Sequence, residues 1–171
     1  KQVHGTAVID AAEVTPESEA DAVVTRAARV VCAVLTADCL PVLVADRAGQ
    51  TVGIAHAGWR GLAAGIIENV VRAMGVPASH LTAYLGPGIG PRRYEVGEDV
   101  RQAFGRTSPE AEAAFESGQG EKYHADLAKL ARQRLSAAGI GEVHGANLCT
   151  ASDERFFSFR DEFGQWDPKN Q

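Results

Sequence analysis

Residues 41–75 read PVLVADRAGQTVGIAHAGWRGLAAGIIENVVRAMG, and this stretch decides the fold class. Residues 41–45 and 51–55 are short apolar runs rich in β-branched side chains, with turn-forming residues between them, which predicts two strands. Apolar residues then recur every four positions and predict an amphipathic helix ending at Gly75, with a buried stripe formed by Leu62, Ile66, Val70 and Met74. Two strands followed at once by a helix indicate an α/β protein.

The rest of the chain also mixes strand-like and helical patterns, without a regular βαβ alternation. Apolar runs predict further strands at residues 3–9, 22–25, 30–35, 81–85, 142–149 and 156–159. Helical spacing predicts helices at residues 97–104, 109–115 and 126–138, while GPGIGP at residues 86–91 predicts a shaped loop. No repeat or flexible linker divides the 171 residues, so we expect one α/β domain with a mixed sheet over residues 1–171.

Composition and charge narrow the classes of partner. The net charge is -5 and the 17 Lys and Arg residues are scattered, so we do not expect nucleic acid to bind. The apolar runs are too short to span a membrane and residues 1–5 lack the features of a secretion signal, so we expect a cytoplasmic protein without membrane contact. The three cysteines form no CxxC pair, which argues against a disulfide framework and leaves a thiol for chemistry or metal binding.

Three residues with metal-binding side chains each follow or end an apolar run among small neighbours. They are His4 in QVHG, Cys39 in TADC and His56 in HAGWRG. Two imidazoles and a thiolate, with a fourth position open, would make a catalytic zinc site. Their sequence spacing matches no local zinc motif, so on the residues alone a buried thiol and two hydrogen-bonded histidines are favoured over a metal site. Cys39 beside a histidine could also act as a nucleophile without metal.

Two further segments carry side chains that could bind substrate. A strand that leads through HAGWRG into a helix would place Arg60 and backbone N–H groups at a helix N-terminus, where anions bind. Alternatively, Gly58 and Gly61 form a tight turn and Arg60 pairs with a structural carboxylate. The aromatic run FFSFR at residues 156–160 could stack on a base or fill the core. We expect the remaining cysteines and histidines to be structural or surface residues: Cys32, Cys149, His80, His124 and His144.

Six segments, in order along nearly the whole chain, resemble the signature segments of the YfiH-like family, also called the laccase-domain or multicopper polyphenol oxidase family. They are QVHG (2–5), TADCLP (36–41), HAGWRG (56–61), GPGIGP (86–91), YEVG (94–97) and FFS (156–158). The resemblance implies a sandwich-like α/β fold related to the catalytic domain of cytotoxic necrotizing factor. It also implies that His4, Cys39 and His56 hold one zinc ion.

The resemblance also implies an activity. Members of the family are described as purine nucleoside phosphorylases that also deaminate adenosine and cleave methylthioadenosine, so the expected partners are purine nucleosides and phosphate. In this hypothesis Cys39, His56 and Arg60 are catalytic. Substrate contacts are expected from Gly58, Phe157 and Arg160.

Two other activities are alternatives: a Cys–His hydrolase that edits peptidoglycan precursors, and a copper-dependent polyphenol oxidase. Five histidines are too few for the several coppers of an oxygen-reducing oxidase, so zinc is the expected metal. The chain departs from the family pattern at both ends. The strands that usually precede QVHG are absent, and DEFGQWD at residues 161–167 replaces an expected Arg and a Gly-Arg-containing strand. An altered C-terminal wall would change the affinity for substrate.

Overall fold

The computed structural model describes residues 1–106 and 108–162, and in these residues the strands form two sheets. The strands are β1 (Val8–Asp10), β2 (Ala22–Thr25), β3 (Leu40–Asp46), β4 (Val52–Ala57), β5 (Leu81–Leu85), β6 (Glu95–Val96), β7 (Phe115–Ser117), β8 (Tyr123–Ala125) and β9 (Val143–Gly145). The larger sheet has the order β1-β2-β4-β3-β5-β9, with parallel pairs at its two edges and antiparallel pairs between. The predicted mixed sheet is confirmed.

The described residues also form helices. They are α1 (Trp59–Ala64), α2 (Ile66–Met74), α3 (Glu98–Gly105), α4 (Leu127–Ala137) and α5 (Phe159–Glu162), with short 3-10 helices at Ala11–Glu13, Ala78–His80, Pro91–Arg93 and Pro109–Ala114. Helices α1 and α2 pack against the larger sheet, where α2 contacts β4 and β2, and α2 also contacts α4. Within the described residues, no helix is both long and apolar enough to cross a membrane.

The alternation of side chains along β3 shows which face is covered. Leu40, Val42 and Val44 are buried, whereas Leu43 between them is exposed. Successive side chains of a strand point to opposite faces, so the helices cover the face that carries the first three residues. The buried side chains of both sheets form one hydrophobic core cluster. This cluster includes Phe104 of α3 and Leu62 of α1.

The structure corrects the single helix predicted across residues 62–74. Gly65 adopts φ +104, in the left-handed region, and ends α1 before α2 begins. A side chain is strained in this conformation, which only glycine adopts readily. The predicted stripe is otherwise confirmed, because Leu62, Ile66, Val70 and Met74 are all buried.

The strands predicted at residues 30–35 and 156–159 are wrong. Residues 30–35 have no regular secondary structure, and Val31 and Leu35 are each 86% exposed. The backbone of Leu35 is paired instead by the side chain of Gln2, which accepts from its N–H and donates to its carbonyl. Cys32 is therefore half-buried rather than enclosed in a strand. Residues 156–158 have no regular secondary structure and lead into α5. In the helix predicted at residues 109–115, Pro109–Ala114 is a 3-10 helix rather than an α-helix, and Phe115 begins β7.

Candidate metal centre

The three predicted metal ligands converge at one end of the larger sheet. His4 lies in the turn before β1, Cys39 immediately precedes β3, and His56 lies near the end of β4. Antiparallel pairing sets Pro41 opposite His56, which brings the start of β3 to the end of β4. One ligand atom from each of the three residues lies within 4.8 Å of the others. The donor set is two imidazole nitrogens and one sulfur, which fits a zinc or copper ion better than a hard cation that prefers oxygen.

Gly58 makes room for this cluster. A Cβ atom at this position would lie 2.9 Å from the Cys39 sulfur and 2.9 Å from Cδ2 of His4. Gly61, one helical turn further on, allows a second close approach, because a Cβ there would lie 2.7 Å from the carbonyl oxygen of Gly5. The glycines of HAGWRG therefore let the start of α1 pack directly on the turn that carries His4.

A buried carboxylate, Asp21, contacts both histidine segments. Its side chain is 0% exposed and accepts a hydrogen bond of 2.8 Å from Nδ1 of His56. It also accepts bonds from the backbone N–H groups of Val3, His4 and Gly5. Burial works against ionisation, but the bonds from His56 and from these three N–H groups outweigh it and lower the pKa of Asp21. A carboxylate can only accept, so Nδ1 of His56 carries the proton and Nε2 is available to a metal.

The protonation of the other two ligands depends on the same surroundings. Burial, and then the nearby charge of His56, lowers the pKa of His4, which favours the neutral imidazole that binds metals. Burial raises the pKa of the Cys39 thiol to about 12, and the negative charges of Asp38 and Asp21 add to this effect, which Arg60 opposes. A thiol in such surroundings becomes a thiolate when a cation binds beside it.

A second buried carboxylate, Asp38, ties the C-terminal part of the described chain to the metal centre. One oxygen accepts a 2.6 Å bond from the Thr150 hydroxyl, and the other accepts from the Ser158 hydroxyl and the backbone N–H of Arg160. Asp38 itself has φ +83, a conformation rare for residues other than glycine and best tolerated by Asn and Asp. The chain from Ser158 to Arg160 is thereby held beside Cys39.

The Gly and Pro loop at residues 86–91 contacts the residues on both sides of Cys39. The N–H of Ile89 donates to the carbonyl of Asp38, and a Cβ at Gly88 would lie 3.0 Å from Cδ1 of Leu40. The loop also takes up Cys149, because the N–H of Gly90 donates to its sulfur. The shaped loop is confirmed, and its contacts are with the backbone of the metal centre.

Comparison with known proteins assigns the chain to a family. The family described as multi-copper polyphenol oxidoreductase laccase matches residues 1–166. The chain belongs to this family. The resemblance inferred from the six sequence segments is therefore confirmed.

Relatives of this laccase-like family share both sequence and fold with the chain. A purine nucleoside phosphorylase of Pseudomonas aeruginosa is 48% identical over 161 residues, which cover 93% of this chain and 66% of the relative. The purine nucleoside phosphorylase YfiH of Escherichia coli is 47% identical over 162 residues, covering 94% and 66%. The crystal structure of a Neisseria meningitidis protein has a TM-score of 0.91 at 49% identity, covering 94% of this chain and 67% of that one. The chain thus spans about two thirds of the length of these relatives.

Arg60 lies in the first turn of helix α1, as predicted, and its charge acts on two of the predicted metal ligands, His4 and Cys39. Helix α1 begins at Trp59 and has six residues, and anion binding at its start stays a prediction. The Arg60 guanidinium lies 4.6 Å from the centre of the Trp59 ring. Burial, His56 and the Arg60 charge all lower the pKa of His4. Burial raises the pKa of Cys39 and of Tyr94, and the Arg60 charge offsets part of each rise. Arg60 therefore supplies positive charge close to His4 and Cys39.

The aromatic run at residues 156–160 borders the site through Phe159, a residue that was not among the predicted substrate contacts. A cleft of about 210 Å³ lies over the three ligands and is flanked by Leu35 and Phe159. Phe157, the residue predicted to contact substrate, is 78% exposed. Arg160 lies with its guanidinium 4.9 Å from the ring centre of buried Tyr94 and donates to the carbonyl of Glu95.

Sequence reasoning missed Asp21, Asp38 and Tyr94 as parts of the site. Asp38 and Tyr94 lie within quoted segments, TADCLP and YEVG, so their position beside predicted ligands was the available signal. Asp21 precedes an apolar strand and belongs to none of the segments. The remaining histidines lie elsewhere, as predicted: in the described residues the metal-binding cluster contains His4, Cys39 and His56 only. The departure predicted at residues 161–167 falls largely on 163–167, outside the described residues.

Proposed function

We propose that this chain is a zinc-dependent purine nucleoside phosphorylase that also deaminates adenosine and cleaves methylthioadenosine. The observation that carries the proposal is the open cleft above the ligand atoms of His4, Cys39 and His56, which lie within 4.8 Å of one another. The names of the Pseudomonas and Escherichia relatives support the purine nucleoside part. Since the chain spans 66% of each relative, the activity of the whole protein is part of the proposal.

The donor set supports zinc over the copper suggested by the family description. Zinc sites that act in catalysis use three protein ligands, often including Cys and His, and leave one position open. Copper oxidases that reduce oxygen need several coppers, whereas the described residues offer one cluster of three ligands. A zinc ion bound here would acidify a water molecule or polarise a substrate oxygen.

The residues around the cleft would bind and orient the nucleoside. Leu35 and Phe159 are apolar walls on which a purine base can pack, and Asp38 fixes the backbone beside Phe159. Arg60 provides the positive charge that a phosphate ion needs close to the metal ligands. Asp21 holds the His56 ring so that Nε2 faces the cluster.

The cytoplasmic location and the lack of a nucleic-acid partner stay predictions.

The test uses the purified chain and a matched cysteine pair. We expect about one zinc per chain by elemental analysis. We also expect phosphate-dependent release of the base from inosine or methylthioadenosine, and conversion of adenosine to inosine, both followed by chromatography. Cys39→Ser should lose zinc and turnover, while Cys32→Ser, at a half-buried thiol outside the cluster, should keep both.

Two results would contradict the proposal. Full turnover by the Cys39→Ser variant on every nucleoside would remove the metal centre from the reaction. Unchanged turnover of the wild type after its zinc has been removed by a strong chelator would favour the metal-free Cys–His hydrolase instead.

A further inference from the structure

The Asp21 carboxylate receives four hydrogen bonds, and each of its oxygens is shared. Oδ1 accepts from the backbone N–H of His4 at 2.9 Å and from Nδ1 of His56 at 2.8 Å. Oδ2 accepts from the N–H of Gly5 at 2.7 Å and of Val3 at 3.2 Å. One oxygen atom thus joins the main chain of one metal ligand to the ring of another, which fixes the two segments relative to each other.

The turn that carries His4 depends on this carboxylate. His4 has φ +59, which L-residues with a Cβ rarely adopt. Three successive N–H groups point to one side of the turn in this conformation, and Asp21 is the acceptor for all three. Gly61 closes against the carbonyl of Gly5 from the α1 side, so the turn is held from two directions.

The ring of His56 is oriented by the same group. The carboxylate accepts the proton of Nδ1, so the lone pair of Nε2 remains for a metal. The main chain adds to this arrangement, because the N–H of His56 donates to the carbonyl of Asp21 at 2.7 Å. The imidazole therefore has its ligating tautomer and direction set by contacts within the protein.

We infer that Asp21 is a positioning residue that assembles the His4 and His56 ligands before the metal binds. The inference rests on the proposed metal site, and it goes further by naming the residue that sets metal affinity without touching the metal. Carboxylates that accept the second N–H of a ligating histidine change metal affinity by about 10- to 100-fold in other proteins. Asp21 should have an effect at least as large, because it acts on two ligands.

The first experiment compares two substitutions of buried aspartates. Asparagine at position 21 keeps one acceptor but sets an NH₂ group against N–H donors. Asp21→Asn should therefore weaken zinc binding about 10- to 100-fold in competition with a chromophoric chelator. Asp46→Asn is the matched control, because Asp46 is also buried, accepts one backbone N–H, and lies at the opposite end of β3 from Cys39. Its zinc affinity should equal that of the wild type.

A spectroscopic measurement separates positioning from a general loss of structure. The cobalt-substituted Asp21→Asn protein at saturating metal should show altered visible absorption bands, and Asp46→Asn should not. Wild-type zinc affinity and a wild-type cobalt spectrum in Asp21→Asn would overturn the inference.

If Asp21→Asn does not fold, nitrogen-15 NMR of the metal-free wild type decides the matter. We expect His56 to carry its proton on Nδ1 and the amides of Val3, His4 and Gly5 to exchange slowly. The opposite tautomer, or rapid exchange of these amides, would refute the preassembled arrangement. A wild type that binds zinc but converts no nucleoside would remove the proposed activity and leave the role of Asp21 intact.

Discussion

Replacing Gly58 by alanine tests the packing on which the metal centre depends. Gly58 has φ -69 and ψ 163, which alanine adopts without strain, so the backbone should tolerate the change. The added Cβ would lie 2.9 Å from both the Cys39 sulfur and Cδ2 of His4. Ordinary contacts begin near 3.4 Å, so the Cys39 side chain and the His4 side chain must each move away by about half an ångström.

This displacement is large for a metal ligand and modest for the fold. Metal–ligand distances are kept within about 0.2 Å, so we expect zinc affinity to fall about 10- to 100-fold. An extra methyl group in a packed region costs about 1–3 kcal/mol, which most folded proteins survive. Chelator competition measures the affinity, and urea unfolding of the metal-free protein measures the stability.

Gly141→Ala is the control for Gly58→Ala, because a Cβ at position 141 meets no atom within 4 Å. Its zinc affinity should be that of the wild type. If Gly58→Ala binds zinc as tightly as the wild type, the ligands do not pack around Gly58 as described, and the reasoning fails.

Two further predictions concern substrate binding and the core. Asp38→Asn tolerates the positive φ but loses an acceptor for Ser158 or Arg160. With zinc supplied at a saturating concentration, the KM for nucleoside should therefore rise about tenfold, which steady-state kinetics checks. An unchanged KM would show that Asp38 does not position the wall of the cleft. Leu62→Ala removes a fully buried side chain and should lower the free energy of unfolding by about 2–5 kcal/mol in urea, and a smaller loss is expected at the partly buried Val71.

The sheet and helices between residues 41 and 75 could be predicted because each has its own periodicity. Apolar content alone misled at residues 30–35, since a strand also needs a neighbour with free backbone groups, and Gln2 pairs Leu35 instead. The sequence did not show that the helix is interrupted at Gly65, because the buried apolar stripe continues from α1 into α2. The strands of the small sheet are two or three residues long, too short to show an alternation.

The sequence alone indicated the predicted metal ligands only in part. Their residue types and small neighbours were visible, but the register that sets Pro41 opposite His56 is what brings Cys39 and His56 together. Asp21 could not be identified, because its role is to accept hydrogen bonds from a turn around His4 that forms only in the folded chain.

The two buried carboxylates bear on the choice between a metal ligand and a free nucleophile at Cys39. Burial contributes most to raising the pKa of the Cys39 thiol to about 12, the charges of Asp38 and Asp21 raise it further, and Arg60 opposes them. A nucleophilic cysteine is usually surrounded by the reverse arrangement, with positive groups that stabilise the thiolate. Negative groups around a thiol and two imidazoles instead favour a divalent cation, whose charge they stabilise and whose binding releases the thiol proton. The same two residues that hold the ligand segments in place therefore also favour the cation that those segments are proposed to bind.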